Sequence, residues 1–124
     1  MPDENNGARE QSFDPTELIL PVAYSADGGT LLTLSQYLEE GAEIIPPAKV
    51  SAEQWQSLIV AHIQQGPDFK IVSVDAGFID RDRAVVEIRA NSRVGETLQE
   101  LFRIVIENFL QKADSIRRQV RAST

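Results

Sequence analysis

The spacing of apolar residues divides the chain into segments typical of strands and helices. Residues 17–24 form an apolar run, and Pro21 within it predicts an edge strand because proline has no N–H for the hydrogen-bond ladder. A tight turn over residues 26–29 follows. Residues 30–32 then either return as a short second strand or stay outside the sheet.

The next two segments both begin with a capping box, in which a Ser or Thr is followed three residues later by Gln. Thr33 and Gln36 form the first box, and Ser51 and Gln54 form the second. Glycines that follow the apolar positions predict where each helix ends. The predicted helices cover residues 34–40 and 52–65.

Residues 69–91 predict a β-hairpin. The outgoing strand, residues 69–79, is rich in β-branched and aromatic residues, and a polar turn follows at residues 80–83. Residues 84–91 alternate between apolar and polar, which is typical of a strand with one buried face. Gly77, inside the outgoing strand, predicts a bulge or a close backbone approach.

The last segment predicts a long helix that begins near residues 92–94 and runs to about residue 121. Its acidic residues lie near the start and its basic residues near the end, as the helix dipole favours. The predicted fold is therefore α+β. It has a small antiparallel sheet, two helices in the N-terminal half and one long C-terminal helix packed on one face.

Between residues 101 and 110 the apolar arc of this helix is roughly 240° wide, against about 100° for one packing contact. Either the helix that carries Trp55 or another subunit has to cover the second side. The apolar spacing from Leu98 to Val120 is close to a heptad pattern. Two readings stay open: a core helix that frays after Ala113, or a seam with a partner. The interface candidates are Phe102, Val105, Ile106, Phe109, Leu110 and Ile116.

Composition limits the alternatives. At 124 residues the chain suits one domain, and the absence of cysteine excludes disulfides, zinc–thiolate sites and iron–sulfur clusters. Residues 1–14 are acidic and polar and predict a disordered tail before a single domain over residues 15–124. No apolar run reaches about 18 residues, and no secretory signal is visible, so we expect a soluble cytoplasmic protein.

Charge is unevenly distributed along the chain. Residues 1–62 hold ten acids and two bases, for a net charge of −8, while residues 63–124 hold nine acids and ten bases, for +1. An acidic front half repels nucleic acid and anionic lipid, which argues against general polyanion binding. The basic tip of the last helix is a small footprint for phosphate contacts and comprises Lys112, Arg117, Arg118 and Arg121.

The sequence contains no clear catalytic or metal-binding constellation, so we expect no cofactor. His62 is the only histidine and lies on the apolar face of its helix, which favours a core role over general-base catalysis. The turn at residues 27–30 lacks any nucleotide-binding fingerprint. Arginines interleave the carboxylates of the predicted hairpin and favour ion pairs over a cation site; these acids are Asp75, Asp80, Asp82 and Glu87.

Three functions remain as hypotheses. The first is a non-enzymatic protein–protein interaction or assembly module that self-associates, as a homodimer, through the long C-terminal helix. The second is a small-ligand-binding regulatory subunit or enzyme accessory subunit with a pocket near Trp55 and His62. The third, with the least support, is nucleic-acid binding through the basic helix tip.

Overall fold

The computed structural model describes residues 12–39 and 41–122, with side chains up to residue 119. The fold is α+β, as the sequence predicts. Along the described chain the elements are α1 (Pro15–Leu18), β1 (Pro21–Tyr24), β2 (Leu31–Thr33), α2 (Leu34–Leu38), a 3-10 turn (Pro47–Lys49), α3 (Ala52–Gln65), β3 (Lys70–Ser73), β4 (Gly77–Asp80), α4 (Arg81–Arg89) and α5 (Arg93–Ala122).

Strand β1, at residues 21–24, is shorter than the strand predicted over residues 17–24. Glu17 belongs to α1, because Asp14 begins that helix with a capping box and Pro15 occupies its first turn. Strand β1 therefore begins only at Pro21 and pairs antiparallel with β2. The short second strand, left open in the sequence, is present at residues 31–33.

Both predicted capping boxes are confirmed. The Thr33 side chain accepts a hydrogen bond from the backbone N–H of Gln36 at 3.2 Å, and Ser51 accepts one from Gln54 at 3.1 Å. Helix α2 ends at Leu38, two residues earlier than predicted, whereas α3 ends at residue 65 as predicted, with Gly66 as its C-cap. Capping boxes can be predicted from sequence because the two residues that form each box are only three positions apart.

The predicted return strand over residues 84–91 is wrong, because residues 81–89 form helix α4. Asp80 begins this helix by accepting a hydrogen bond from the N–H of Arg83 at 2.8 Å. The buried residues are Ala84, Val85 and Ile88, which have helical spacing, while Val86 is 63 % exposed. The alternation of apolar residues at 84, 86 and 88 is therefore coincidental.

The second hairpin is accordingly confined to β3 and β4, with its turn at residues 74–76. Gly77 ends the turn with φ of +74°, a conformation that residues with a side chain rarely adopt. In the described chain β1–β2 and β3–β4 are two separate two-stranded sheets, so the prediction of one common sheet is also wrong.

Helix α5 begins at residue 93, as predicted, and packs against α2, α3, α4 and β1. Its 30 residues span about 45 Å. Ile106 and Ala113 are fully buried on its inner side. The wide apolar arc is thus covered largely by the domain itself, including the helix that carries Trp55.

The end of α5 stays attached to the domain beyond Ala113. The hydroxyl of Tyr37 donates a hydrogen bond to Asp114, and Arg117 lies over the Tyr37 ring at 4.7 Å. Arg117 also donates to the carbonyl of Ala42 at 3.2 Å. These contacts hold the helix against the domain as far as Arg117, so the described helix does not fray directly after Ala113 as one of the two open readings predicts.

The chain before α1 also contributes to the core. Phe13 is buried, and its ring lies 6.1 Å from that of Phe109. Residues 1–11 of the predicted tail lie outside the described residues, but the packed part of the chain includes Phe13. None of the helices in the described part combines the length and apolar character needed to cross a bilayer.

Candidate functional site

His62 is part of the core. It is 4 % exposed, and its ring lies 6.3 Å from that of Phe102 and 5.9 Å from that of Phe109. Its Nδ1 lies 2.8 Å from the carbonyl oxygen of Pro21, which only accepts, so Nδ1 carries the proton. Burial lowers the pKa of His62, although the hydrogen bond to Pro21 opposes the shift. The residue is therefore a neutral packing residue that ties α3 to β1.

Trp55 lines a shallow cleft of about 230 Å³ between α3 and α5. The guanidinium of Arg103 lies 4.6 Å from the centre of the Trp55 ring. The indole N–H is buried, and among the described residues it has no hydrogen-bond partner. His62 does not line this cleft, so the two ligand-pocket candidates do not share a site.

Two of the basic residues near the end of α5 contact the domain itself. Lys112 donates to the carbonyl of Ser12 at 2.7 Å and lies 4.5 Å from the Phe13 ring centre. Arg117 is held by Tyr37 and Ala42, as described above. Arg118 is exposed, and the side chain of the fourth residue, Arg121, lies outside the described part of the chain.

The acidic residues near the second hairpin do not converge. Asp80 caps α4, and Glu87 accepts a hydrogen bond from the hydroxyl of Ser92 and lies 3.9 Å from Nε of Arg83. Across residues 12–39 and 41–122, no three His, Asp or Glu side chains form a group that could hold a metal ion.

The glycine turn between β1 and β2 is closed by its own aspartate. Asp27 accepts hydrogen bonds from the Ser25 hydroxyl at 2.6 Å and from the Gly29 N–H at 2.8 Å. These two bonds, led by that from Ser25, lower the pKa of Asp27. The turn therefore serves the hairpin, as the sequence predicts.

Five of the six interface candidates on α5 lie against the domain's own core. Ile106 and Leu110 are buried, and Phe102, Phe109 and Ile116 are partly buried and pack on the core cluster. Val105 is also partly buried. A second subunit could reach the two buried side chains only by displacing the domain's own helices and strands. The use of these α5 residues as an interface stays a prediction, whereas most of them already pack within a single chain.

A different apolar surface is exposed. It comprises one face of the second hairpin, its turn and the neighbouring side of α5, and we call it the hairpin surface; its members are Val72, Val74, Phe78, Leu101 and Ile104. Val72 lies opposite Phe78 in the strand register, and these side chains are 72 % and 68 % exposed. The other face of the hairpin carries the buried Ile79. The two faces thus differ sharply in burial although both are apolar.

A groove of about 470 Å³ separates the hairpin from α5 and opens onto this surface. Its hairpin wall includes Ile71, Val72 and Asp75, and its helix wall includes Arg93, Val94 and Leu101. Ile104 follows Leu101 by one helical turn, so it extends the apolar wall of the groove.

Sequence reasoning did not identify the hairpin surface. It placed residues 69–79 in one long strand, in which Val72 and Phe78 would have shared a face without any sign that the face is exposed. One signal was available: residues 71, 72, 78 and 79 put apolar side chains on both faces of a short hairpin, and a two-layer fold buries only one.

No protein-family model, no curated protein and no solved structure matches this chain.

Proposed function

We propose that this chain is a non-enzymatic protein–protein interaction or assembly module that binds through the hairpin surface. The observation that carries the proposal is a group of five large apolar side chains, each exposed by at least 46 %. Val72 and Leu101 line the groove, and the other three neighbour them in the strand register, the hairpin turn or the next helical turn. Single exposed apolar residues are common on monomers, whereas a grouped patch is typical of an interaction site.

The size of the patch supports the same function. These five side chains expose on the order of 500 Å², which is near the upper end for the largest patch on an ordinary monomer. Burial of that area contributes on the order of 10 kcal/mol before the costs of association are subtracted. The hairpin surface is therefore of the size that the apolar centre of a standard interface needs.

The surroundings of the patch suit a protein partner. Lys70 lies 6.0 Å from the Phe78 ring centre, and Asp75 and Arg93 line the groove, so polar groups border an apolar centre. Protein interfaces commonly have this arrangement of an apolar core and a polar rim. Phe78 is the side chain that we expect to contribute most to binding, because aromatic side chains are enriched among the residues that dominate binding energy.

Site-specific photo-crosslinking in the native host tests the proposal. A photoreactive phenylalanine analogue replaces Phe78 in the full chain, and the same analogue replaces the exposed Glu53 on α3 as the control. We expect a protein-sized adduct from position 78 and none from position 53. An absence of adducts from positions 72, 78 and 101 would contradict the function.

A second candidate is small-ligand binding in the Trp55 cleft. The observation that favours it is the cleft that Trp55 lines, where the buried indole N–H has no hydrogen-bond partner in the described chain. An acceptor on a ligand would satisfy that group after neighbouring side chains move aside. Trp55 is the only tryptophan, so its fluorescence reports the cleft directly. A metabolite panel that leaves the emission of the native chain unchanged would argue against this role.

A further inference from the structure

We infer that the occupant of the hairpin surface is a second copy of this chain, related to the first by a two-fold axis. This inference rests on the proposed interaction function and names its partner. It places the dimer contact on the second hairpin and the first turns of α5, away from the helix face that the heptad-like spacing favours.

The charges in the groove are self-complementary. Asp75 lies in the hairpin turn and Arg93 lies at the start of α5, so the groove has one acidic and one basic wall. Within the described part of the chain, neither side chain has an ion pair or a hydrogen bond. A two-fold axis through the groove brings each Asp75 to the Arg93 of the other copy, and the same ion pair forms twice.

This balance of charge distinguishes a second copy from other partners. Asp75 and Arg93 are the only charged side chains that line the described groove, and their charges cancel. A strongly basic or strongly acidic partner would leave one of the two unmatched. A copy of the same surface matches both, although the chain as a whole carries a net charge of −7.

The area agrees with what a stable dimer needs. Each partner in a standard interface contributes about 800 Å², of which somewhat more than half is apolar. The hairpin surface exposes apolar area of this order, so two identical patches suffice without any rearrangement of the domain. The α5 face does not offer this option, because Ile106 and Leu110 are buried within one chain.

Sedimentation equilibrium of the full chain, from micromolar to millimolar concentration, tests the inference. We expect a monomer–dimer equilibrium. Phe78→Asp should raise the dissociation constant at least about 100-fold, because it places a charge among the apolar side chains of the hairpin surface. The matched control is Ile19→Asp, which alters another exposed apolar residue outside the groove and should leave the constant unchanged. Circular dichroism verifies that each variant is folded.

Charge reversal tests the geometry. Asp75→Arg alone and Arg93→Asp alone should each weaken the dimer about tenfold, because each puts like charges together at two symmetric positions. The double variant exchanges the two walls and should return the dissociation constant to within about threefold of the original. Failure of the double variant to recover, when both single variants weaken the dimer, would overturn the two-fold pairing.

The results also separate this inference from the function on which it rests. A monomer at about 1 mM whose position 78 crosslinks to another protein would overturn the second-copy inference and leave the interaction function intact. A monomer without any adduct would overturn both. A dimer that Phe78→Asp does not weaken would contradict the second-copy assignment at this surface.

Discussion

Gly95 of α5 lies directly against the backbone of Glu87 in α4. A Cβ atom at position 95 would be 2.0 Å from the carbonyl oxygen of Glu87 and 2.5 Å from its carbonyl carbon. No rotamer change relieves this contact because both atoms belong to the backbone. The close crossing of α4 and α5 therefore depends on glycine at this position.

Gly95→Ala should destabilise the domain by about 2–4 kcal/mol, although alanine is the better helix former by about 1 kcal/mol. The reason is that the two helices must separate to admit the methyl group. Chemical denaturation measures the effect. Gln111→Ala, at an exposed position of the same helix, is the control and should change stability by less than about 0.5 kcal/mol. Equal stability of the two variants would show that the helices cross differently.

His62 should make stability depend on pH below about 6.5. Burial lowers its pKa in the folded state, so the folded chain binds a proton less readily than the unfolded chain. The stabilisation is fully present above the unfolded pKa and is lost as the pH falls towards the folded pKa. Thermal unfolding at pH 7.5, 6.5 and 5.5 should therefore show a falling midpoint.

The control for this titration is His62→Gln, which keeps a donor for the Pro21 carbonyl but has no titratable group. We expect it to be less stable at pH 7.5, with a flatter dependence on pH down to 5.5. If the two proteins lose stability in parallel over this range, the pH dependence arises from other groups.

Tyr37 should titrate well above an ordinary tyrosine. Burial, together with its hydrogen bond to Asp114, raises the pKa of Tyr37 to about 12. The folded state thus favours the neutral phenol, and the corresponding stability is lost as the pH rises from the unfolded value near 10 towards 12. Absorbance at about 295 nm follows the phenolate, and Tyr37→Phe should remove the late step. A single step near pH 10 in the folded protein would contradict the buried contact.

Asp80→Ala should destabilise the domain by about 1 kcal/mol, because it removes the side-chain cap of α4. Asp82→Ala is the matched control. Asp82 is exposed, and its ion pair with Nε of Arg81 is long, at 4.0 Å, and therefore contributes little to stability. Urea denaturation of both variants provides the comparison. Similar losses in the two variants would indicate that residues 81–89 do not depend on this cap.

Local signals account for the elements that the sequence predicts correctly. Ser51 and Thr33 are caps whose partners lie three residues away, so no distant contact can override them easily. The start of α5 was also predictable, because apolar spacing of nearly four is sustained over many turns.

The segment over residues 81–89 was not predictable in the same way. Ala84, Val86 and Ile88 fit a strand, while Ala84, Val85 and Ile88 fit a helix, and both patterns occur in the same nine residues. The choice is made by tertiary packing, in which Val85 is buried and Val86 is exposed. Propensity and periodicity alone do not contain that information.

The hairpin surface was hidden for a related reason. Sequence reasoning located surplus apolar area in α5, and Leu101 and Ile104 of that stretch are indeed exposed. Most of the apolar surface of α5 packs in the core. Val72 and Phe78 are exposed because no other described element covers their face of the β3–β4 hairpin. Which apolar face stays uncovered depends on the arrangement of distant segments.

The position of α5 in the chain order has a consequence for synthesis. Its core-facing residues Leu98, Ile106 and Ala113 are translated after every other described element on which they pack. In a nascent chain synthesised only as far as residue 92, the core residues that α5 covers in the folded domain are therefore exposed, for some seconds at usual elongation rates. Folding of this domain should be completed only once α5 has emerged from the ribosome, and chaperones that recognise exposed apolar segments have that interval in which to bind.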